Sequence, residues 1–207
     1  VGRLGAQVTM CVLRRGYYPR GGGEIELAVK PTKLASTVFD ASGYRQAIHG
    51  LAHVANLPEH IALRMKQAAL ERLGTYGAQA QIETQLLGHE AAYGAGGAIV
   101  CWTEGEHTVL GAARIAERGV PAEVLGEAVG EELAADLAAG AALDVHAADQ
   151  ILVYCALAEG GSFSTRSVSL HARTAMWLIE QFLPVRFELA QAAGLAYVTV
   201  RTCGKQP

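Results

Sequence analysis

Polar and apolar residues alternate along Glu24-Ile25-Glu26-Leu27-Ala28-Val29, a period-two pattern that predicts a strand with one face buried and the other wet. Apolar and β-branched residues over 5–13 predict a strand before it, with 14–23 as the turn between them and Pro31 as the stop. A second unit starts near Tyr44, with a strand over 47–54 and an amphipathic helix opened by Pro58-Glu59-His60 and stopped by Gly74. Strands are expected over 79–87, 98–102 and 107–113, with Gly94-x-Gly96-Gly97 as a hairpin loop. Pro121 opens a helix rich in Ala, Glu and Leu to about Ala139, and the small residues after it mark a boundary. The last third reads as a buried helix over 145–158, a short strand over 167–170, a helix over 171–182, and a hairpin of 185–189 with 197–201 around Ala193-Gly194. This order predicts an α/β (α+β) fold without repeats or low-complexity tails.

Composition narrows the picture. With 207 residues, 51% of them apolar, the chain buries a full core as one domain or two smaller ones. Lys and Arg number 17 against 20 Asp and Glu, so no global field announces a nucleic-acid partner, and any such contact must be a local basic patch. Cys11, Cys101, Cys155 and Cys203 lie far apart, with no C-x-x-C pair and no histidine at zinc-finger spacing, and read as reduced core thiols of a cytoplasmic protein. No apolar run approaches the roughly 20 residues of a membrane span, and no cleavable signal opens the chain. Because the first residue is Val1 and strand-like sequence follows almost at once, the expectation is a piece whose beginning is missing.

Three groups of residues are candidates for chemistry. Gly21-Gly22-Gly23, with Arg14, Arg15 and Arg20 close by, has the makings of a phosphate cradle built from backbone N–H groups. Its spacing matches neither a Walker loop nor a dinucleotide fingerprint, and a strand rather than a helix follows, which equally fits a hairpin connection needing positive φ. His171 falls where a strand gives way to a helix, next to Arg173 and Thr174. Helix N-termini favour anions, and a neutral imidazole can attack phosphorus to give a phosphoramidate; a lone histidine is more commonly a surface or capping residue. Asp149-Gln150, on a mostly apolar helix, suits a solvated helix end, a ribose contact or the orientation of an imidazole. His49, His53, His60, His89 and His107 receive no role.

Taken together, two of these segments carry a family resemblance. Arg15-Gly16-Tyr17-Tyr18-Pro19-x-Gly21-Gly22-Gly23 resembles a signature of the RNA 3'-terminal phosphate cyclase family. Ala148-Asp149-Gln150-Ile151, then His171-Ala172-Arg173-Thr174-Ala175 and Glu180-Gln181-Phe182-Leu183-Pro184-Val185-Arg186-Phe187, resemble its C-terminal block in the same order and separation. The resemblance implies a large domain of repeated units, each with two helices on a four-stranded sheet, and a smaller inserted α/β domain. Residues 1–41 would belong to the large domain, 42–140 to the insert, and 141–207 to the last repeat.

The resemblance also implies an activity. Such enzymes use ATP to adenylylate a histidine, pass AMP to an RNA 3'-phosphate, and let the 2'-hydroxyl displace it, leaving a 2',3'-cyclic phosphate. His171 matches the nucleophile. Asp149, Gln150, His146 and Pro19 match the ATP pocket, with His146 standing where relatives can carry a Tyr beside the adenine. Asp149 is also the candidate ligand for Mg²⁺ or Mn²⁺, hard cations that suit carboxylate and phosphate oxygens. Arg14, Arg15, Arg20 and Arg173 are the expected contacts to RNA or phosphate, and RNA 3' ends and ATP the expected partners. The family's N-terminal segment, which supplies further ATP and RNA contacts, lies outside this sequence, so the chain alone is not expected to suffice for activity. Relatives that lack the histidine serve in ribosomal RNA processing without catalysis; a non-catalytic cyclase-like protein of that kind is the alternative.

Overall fold

The first strand, β1 (Gln7–Arg14), pairs antiparallel with β2 (Glu24–Lys30), placing Val8 opposite Val29, Met10 opposite Leu27 and Val12 opposite Ile25. The structure is a computed structural model, and residues 1–41 and 47–203 are described; Tyr44, the expected start of the second unit, lies outside them. The period-two reading sorts the β2 side chains onto two faces as expected, but neither face is buried: every β2 residue is exposed. Alternation records which residues share a face, whereas burial also needs something packed on that face, and β1 and β2 form a two-stranded sheet by themselves.

A four-stranded sheet follows in the order β5-β4-β6-β7, from β4 (Ile48–Ala55), β5 (Gln81–Leu87), β6 (Gly96–Glu104) and β7 (Val109–Ile115). Helices α1 (His60–Leu73) and α2 (Ala122–Ala139) pack on it. Met65, Ala69, Leu125, Val129 and Leu133 from the helices join Ile48, Val54, Ile99 and Leu110 from the strands in one core. Gly74 stops α1 and Gly140 caps α2 in the left-handed conformation, as such glycines do. Because β4 runs parallel to β5 and antiparallel to β6, the glycine-rich stretch at 94–97 crosses over the end of β4. The expected hairpin loop there is corrected to a crossover, since β5 and β6 are not neighbours.

The two helices approach each other through glycines. A Cβ at Gly126 would overlap the Met65 carbonyl oxygen, and one at Gly130 would lie 2.6 Å from the Ala69 carbonyl. In an open helix Gly→Ala gains up to about 1 kcal/mol. Here Gly126→Ala must push α1 and α2 apart, at a cost of about 1–3 kcal/mol. With two backbone groups of α1 in the way, the upper part of that range applies, and a net loss of about 1–2 kcal/mol is expected. Thermal unfolding should show it as a fall of roughly 3–6 °C; an unchanged or raised midpoint would contradict the close packing.

The second four-stranded sheet has the order β3-β8-β10-β9, from β3 (Val38–Phe39), β8 (Gly161–Thr165), β9 (Val185–Ala192) and β10 (Leu195–Thr202). It packs against α3 (Val145–Leu157) and α4 (Leu170–Phe182), with Leu152, Cys155, Phe163, Met176, Val185 and Val198 in the core between them. The β9–β10 turn forms at Ala193 and Gly194, both at positive φ, which is the geometry of a primed hairpin turn. The strand expected over 167–170 is corrected: the strand is Gly161–Thr165, and Ser169 is instead the N-cap of α4. At the junction of the two layers, the Thr108 hydroxyl donates to the Ala142 carbonyl and the Gly111 N–H to the Asp144 carboxylate.

The architecture is thus α+β with mixed sheets, as the element order predicts. Among the described residues no helix is long and apolar enough to cross a membrane. The expectation of four core thiols is corrected by exposure: Cys101 and Cys155 are buried, Cys11 and Cys203 are not. Cys11 faces away from any core on the hairpin, and Cys203 follows the last strand. Burial pushes the Cys101 thiol up to about 12 and the Cys155 thiol up to about 11, so both stay protonated and inert.

Candidate functional site

Asp149 and His171 are brought together from two helices. Asp144 caps α3 by accepting the Ala147 N–H at 2.7 Å, which sets the first turns that carry His146, Asp149 and Gln150. Ser169 caps α4 in the same way, accepting the Ala172 N–H at 2.9 Å. Its hydroxyl also donates to the Asp149 carboxylate, with both oxygens 2.9 Å away. One side chain therefore starts α4 and ties it to α3. The His171 Nδ1 lies 3.8 Å from Asp149 Oδ2, on an imidazole that is 79% exposed beside a carboxylate that is 11% exposed.

This arrangement suits attack on an electron-poor phosphorus. A carboxylate at Nδ1 favours the tautomer with its proton there, leaving Nε2 with a free lone pair. The contact is longer than a hydrogen bond, as catalytic contacts often are until substrate binds. His171 lies in the first turn of α4, where backbone N–H groups have no acceptor within the helix and the dipole favours negative charge. Arg173, two residues on, is exposed.

His146 turns elsewhere. Its Nε2 lies 3.2 Å from Glu132 of α2, and Glu132 also holds Arg114 of β7 at 2.7 Å. Gln150 is exposed next to Asp149. Near the same helices, Arg166 pairs with the fully buried Asp136 at 2.8 Å. Burial pushes the Asp136 carboxyl up, against the pull of Arg166.

The arginine turn forms a second group. Gly21 and Gly22 both take positive φ, and Gly21 N–H donates to the Tyr17 carbonyl, so the hairpin-connection reading of these glycines describes the backbone. Pro19 lies in this turn after a cis peptide bond, beside the fully solvated Tyr18 ring. The turn docks on the Tyr93 loop: Arg15 N–H donates to the Ala91 carbonyl, Arg20 donates to the Tyr93 carbonyl, and Arg14 stacks 4.3 Å from the Tyr93 ring centroid. A Cβ at Gly22 would fall 2.9 Å from that ring, so the close approach requires glycine. Asn56 fixes the loop from below by donating to the Ala92 and Gly94 carbonyls. Arg14 is also paired with Glu24 at 2.8 Å, which offsets part of its charge.

Beneath the turn, Tyr17 and His53 line an open cavity of about 550 Å³ together with Arg14, Arg15 and Glu24. Burial, with help from the Arg15 charge, lowers the His53 imidazole to about 4, so it is neutral at physiological pH. Its Nδ1 and the Tyr17 hydroxyl are buried without a hydrogen-bond partner. The same burial raises the Tyr17 phenol, against the pull of Arg15.

The residues expected at one ATP and RNA site thus fall into two groups, Asp149 with His171 at the α3–α4 ends, and Pro19 with Arg14, Arg15 and Arg20 at the Tyr93 loop. Ser169, Glu132 and Tyr93 were not among the expected residues. Ser169 alone carried a readable signal, as a serine three residues before Ala172 at a helix start. For a divalent cation, no group of three or more His, Cys, Asp or Glu is placed to hold one among the described residues. A lone carboxylate such as Asp149 offers one oxygen-donor group of the kind that hard cations take.

Fold and site define an α+β protein with an imidazole–carboxylate pair at a helix N-terminus and a separate arginine-rich turn. The sequence matches the model of the RNA 3'-terminal phosphate cyclase family over residues 1–189, and the chain belongs to that family. An RNA 3'-terminal phosphate cyclase of Nitrosospira multiformis is 46% identical over 96% of this chain and 56% of its own length. Those of Pyrobaculum neutrophilum and Methanosarcina barkeri are 38% and 37% identical, over 98% and 96% of this chain and 58% and 57% of their own lengths. The chain therefore spans a little over half the length of the curated relatives it matches.

Proposed function

We propose that this chain supplies the nucleophile for ATP-dependent conversion of RNA 3'-terminal phosphates to 2',3'-cyclic phosphates. The observation that carries the reading is the approach of Asp149 to His171 at the start of α4. In the first step His171 Nε2 attacks the α-phosphorus of ATP, forming an N–P bond as diphosphate leaves. An oxygen of the RNA 3'-phosphate then takes the AMP from the histidine. Finally the vicinal 2'-hydroxyl attacks the 3'-phosphorus, AMP departs, and the hydroxyl proton goes to solvent or base.

Geometry supports the roles of Asp149 and Ser169. Asp149 stabilises the positive charge that grows on the imidazole as Nε2 bonds phosphorus, and Ser169 keeps that carboxylate in place. Asp149 is also the residue that would hold Mg²⁺ or Mn²⁺, which would neutralise charge on the ATP phosphates. Gln150 and His146 offer polar contacts to the nucleotide, with Glu132 setting the orientation of His146. Arg15, Arg20 and Arg173 offer charges for RNA or phosphate, with Arg14 partly engaged by Glu24. Substrates of this kind, ATP and RNA ends, fit the cytoplasmic location expected from the sequence.

The test is the conversion of a 5'-labelled RNA 3'-phosphate to a phosphatase-resistant product in the presence of ATP and Mg²⁺. It should use this chain completed with the portion of the Nitrosospira multiformis relative that it leaves unmatched. Resistant product that requires both ATP and His171 is expected. RNA that is bound but never made resistant would favour the non-catalytic role in ribosomal RNA processing.

A further inference from the structure

The β5-β4-β6-β7 sheet has two unlike faces. Helices α1 and α2 pack on the side that carries Ile48, Val54, Ile99, Cys101, Leu110 and Ala112. On the opposite side the strand register sets three rows: His53 with Ala98 and Ile115, Leu51 with Val100 and Ala113, and His49 with Trp102 and Gly111. Leu51, Val100 and Trp102 are part-exposed there, and Ala113 and Ile115 fully so. The two ends of this face differ in chemistry. At one, the Trp102 and His49 rings lie 6.0 Å apart, tilted by 37°. At the other, His53, Ala98 and Ile115 share a cavity with Arg14 and Arg15. Arg15 is half-buried, and no carboxylate partners it among the described residues. Arg20 donates to the Tyr93 carbonyl, which leaves its charge uncompensated.

We propose that single-stranded RNA lies along this helix-free face, with a backbone phosphate on Arg15 and Arg20 and its bases stacked toward Trp102 and His49. Aromatic rings on an open sheet and unpaired cations beside it are the two parts from which single-strand sites are built. A guanidinium without a counter-ion favours phosphate, which accepts its N–H groups in pairs. From His53 to His49 the line runs about 13 Å along β4, and four-stranded sheets that read RNA stack roughly two or three bases on such a surface. Ala98, Val100 and Leu51 between the ends give the bases an apolar floor that is indifferent to sequence. Glu83 on the edge strand β5 and Glu104 at the end of β6 flank the line and repel phosphate, which keeps the backbone at the arginine end. The inference rests on RNA being the substrate and says which surface carries the strand leading to the reacting 3' end.

The test is binding of a 5'-fluorescent oligo(A) with a 3'-hydroxyl, measured by anisotropy without ATP and therefore without calling on His171. Trp102→Ala should weaken binding roughly 5–100-fold and leave its salt dependence unchanged, whereas Trp102→Phe should retain most of the affinity. Arg15→Gln should weaken binding and lower the slope of log affinity against log salt by roughly 0.7, the share of one single-strand phosphate contact. An abasic strand of equal length, which keeps every phosphate, should bind wild type as weakly as oligo(A) binds Trp102→Ala. The chain has two tryptophans, so Trp177→Phe isolates Trp102, whose fluorescence oligo(A) should quench and the abasic strand should not; this reading needs no alanine variant to fold. Quenching in a protein whose His171 takes no label from ATP would sink the adenylylation and leave this face standing. No quenching by bound RNA, or equal affinity in wild type and a folded Trp102→Ala, would overturn the proposal. A change in Trp102 fluorescence that follows protein concentration alone would also overturn it, by assigning the face to a second copy.

Discussion

Asp149→Asn is expected to leave the protein folded and to slow the proposed adenylylation of His171 by about 10²–10⁴-fold, the range seen when a carboxylate that orients a catalytic imidazole becomes an amide. The amide retains an acceptor for Ser169, so the α3–α4 connection persists. It loses the charge that faces Nδ1 at 3.8 Å and that offsets the growing imidazolium. Ser169 separates this role from simple helix capping. Ser169→Asp keeps a good N-cap for the Ala172 N–H but removes the hydroxyl donor to Asp149 and places a second carboxylate against it. Transfer should fall roughly 10–100-fold in that variant. Ser169→Thr, which has both cap and donor, should restore the rate. The checks are single-turnover labelling from ATP and the melting temperature. An Asp149→Asn variant that labels at the wild-type rate would remove the carboxylate from the mechanism.

Acid should destabilise the protein through His53. Its side chain is buried in β4 with only 5% exposed, and burial together with Arg15 holds the imidazole at about 4, against 6.5 for an ordinary histidine. The folded state thus resists a proton that the unfolded chain accepts. Between pH 6.5 and about 4 the unfolded state binds more protons, so stability falls as pH drops through that window and is flat with respect to this group above it. At about 1.4 kcal/mol per unit, the loss by pH 4.5 is roughly 2–3 kcal/mol. His53→Leu removes the titrating group and should flatten this part of the profile. Denaturant unfolding of both proteins at pH 7 and pH 4.5 measures it. A drop of the same size in the variant would assign the acid sensitivity elsewhere.

Local signals made much of the fold legible in the sequence. Helix α1 ends at Gly74 and α2 at Gly140 because glycine reaches backbone conformations that other residues reach only with strain. The Ala193-Gly194 turn was readable for the same reason. Features that depend on distant partners were not. β3 has two residues, too few for any period, and exists because β8 lies alongside it. Ser167-Val168-Ser169-Leu170 looks like a strand until the Ser169 hydroxyl is seen to cap α4. The 94–97 glycines suggest a hairpin, yet their geometry answers to the Tyr17 ring, which leaves no room for a Cβ at Gly96.

The candidate site divides in the same way. His171, Asp149 and the arginine turn become visible when the two motif blocks are read together, because each alone is compatible with a surface histidine, a solvated helix end or a plain turn. Their grouping into two clusters is a tertiary fact. Ser169 reaches Asp149 across 20 positions of sequence, and Tyr93 meets Arg20 across 73, spacings that no local pattern encodes. His53 looked like any scattered histidine, and its neutrality follows from burial beside Arg15.

The central claim is that His171 accepts AMP. The most direct measurement is incubation with α-labelled ATP and Mg²⁺, followed by denaturing electrophoresis, of wild type and His171→Ala. Each is taken alone and completed with the unmatched portion of the Nitrosospira multiformis relative. Acid-labile label on the completed wild type, absent from completed His171→Ala, is the predicted result. Label that persists in His171→Ala, or folded wild type that takes up none in either form, would contradict it.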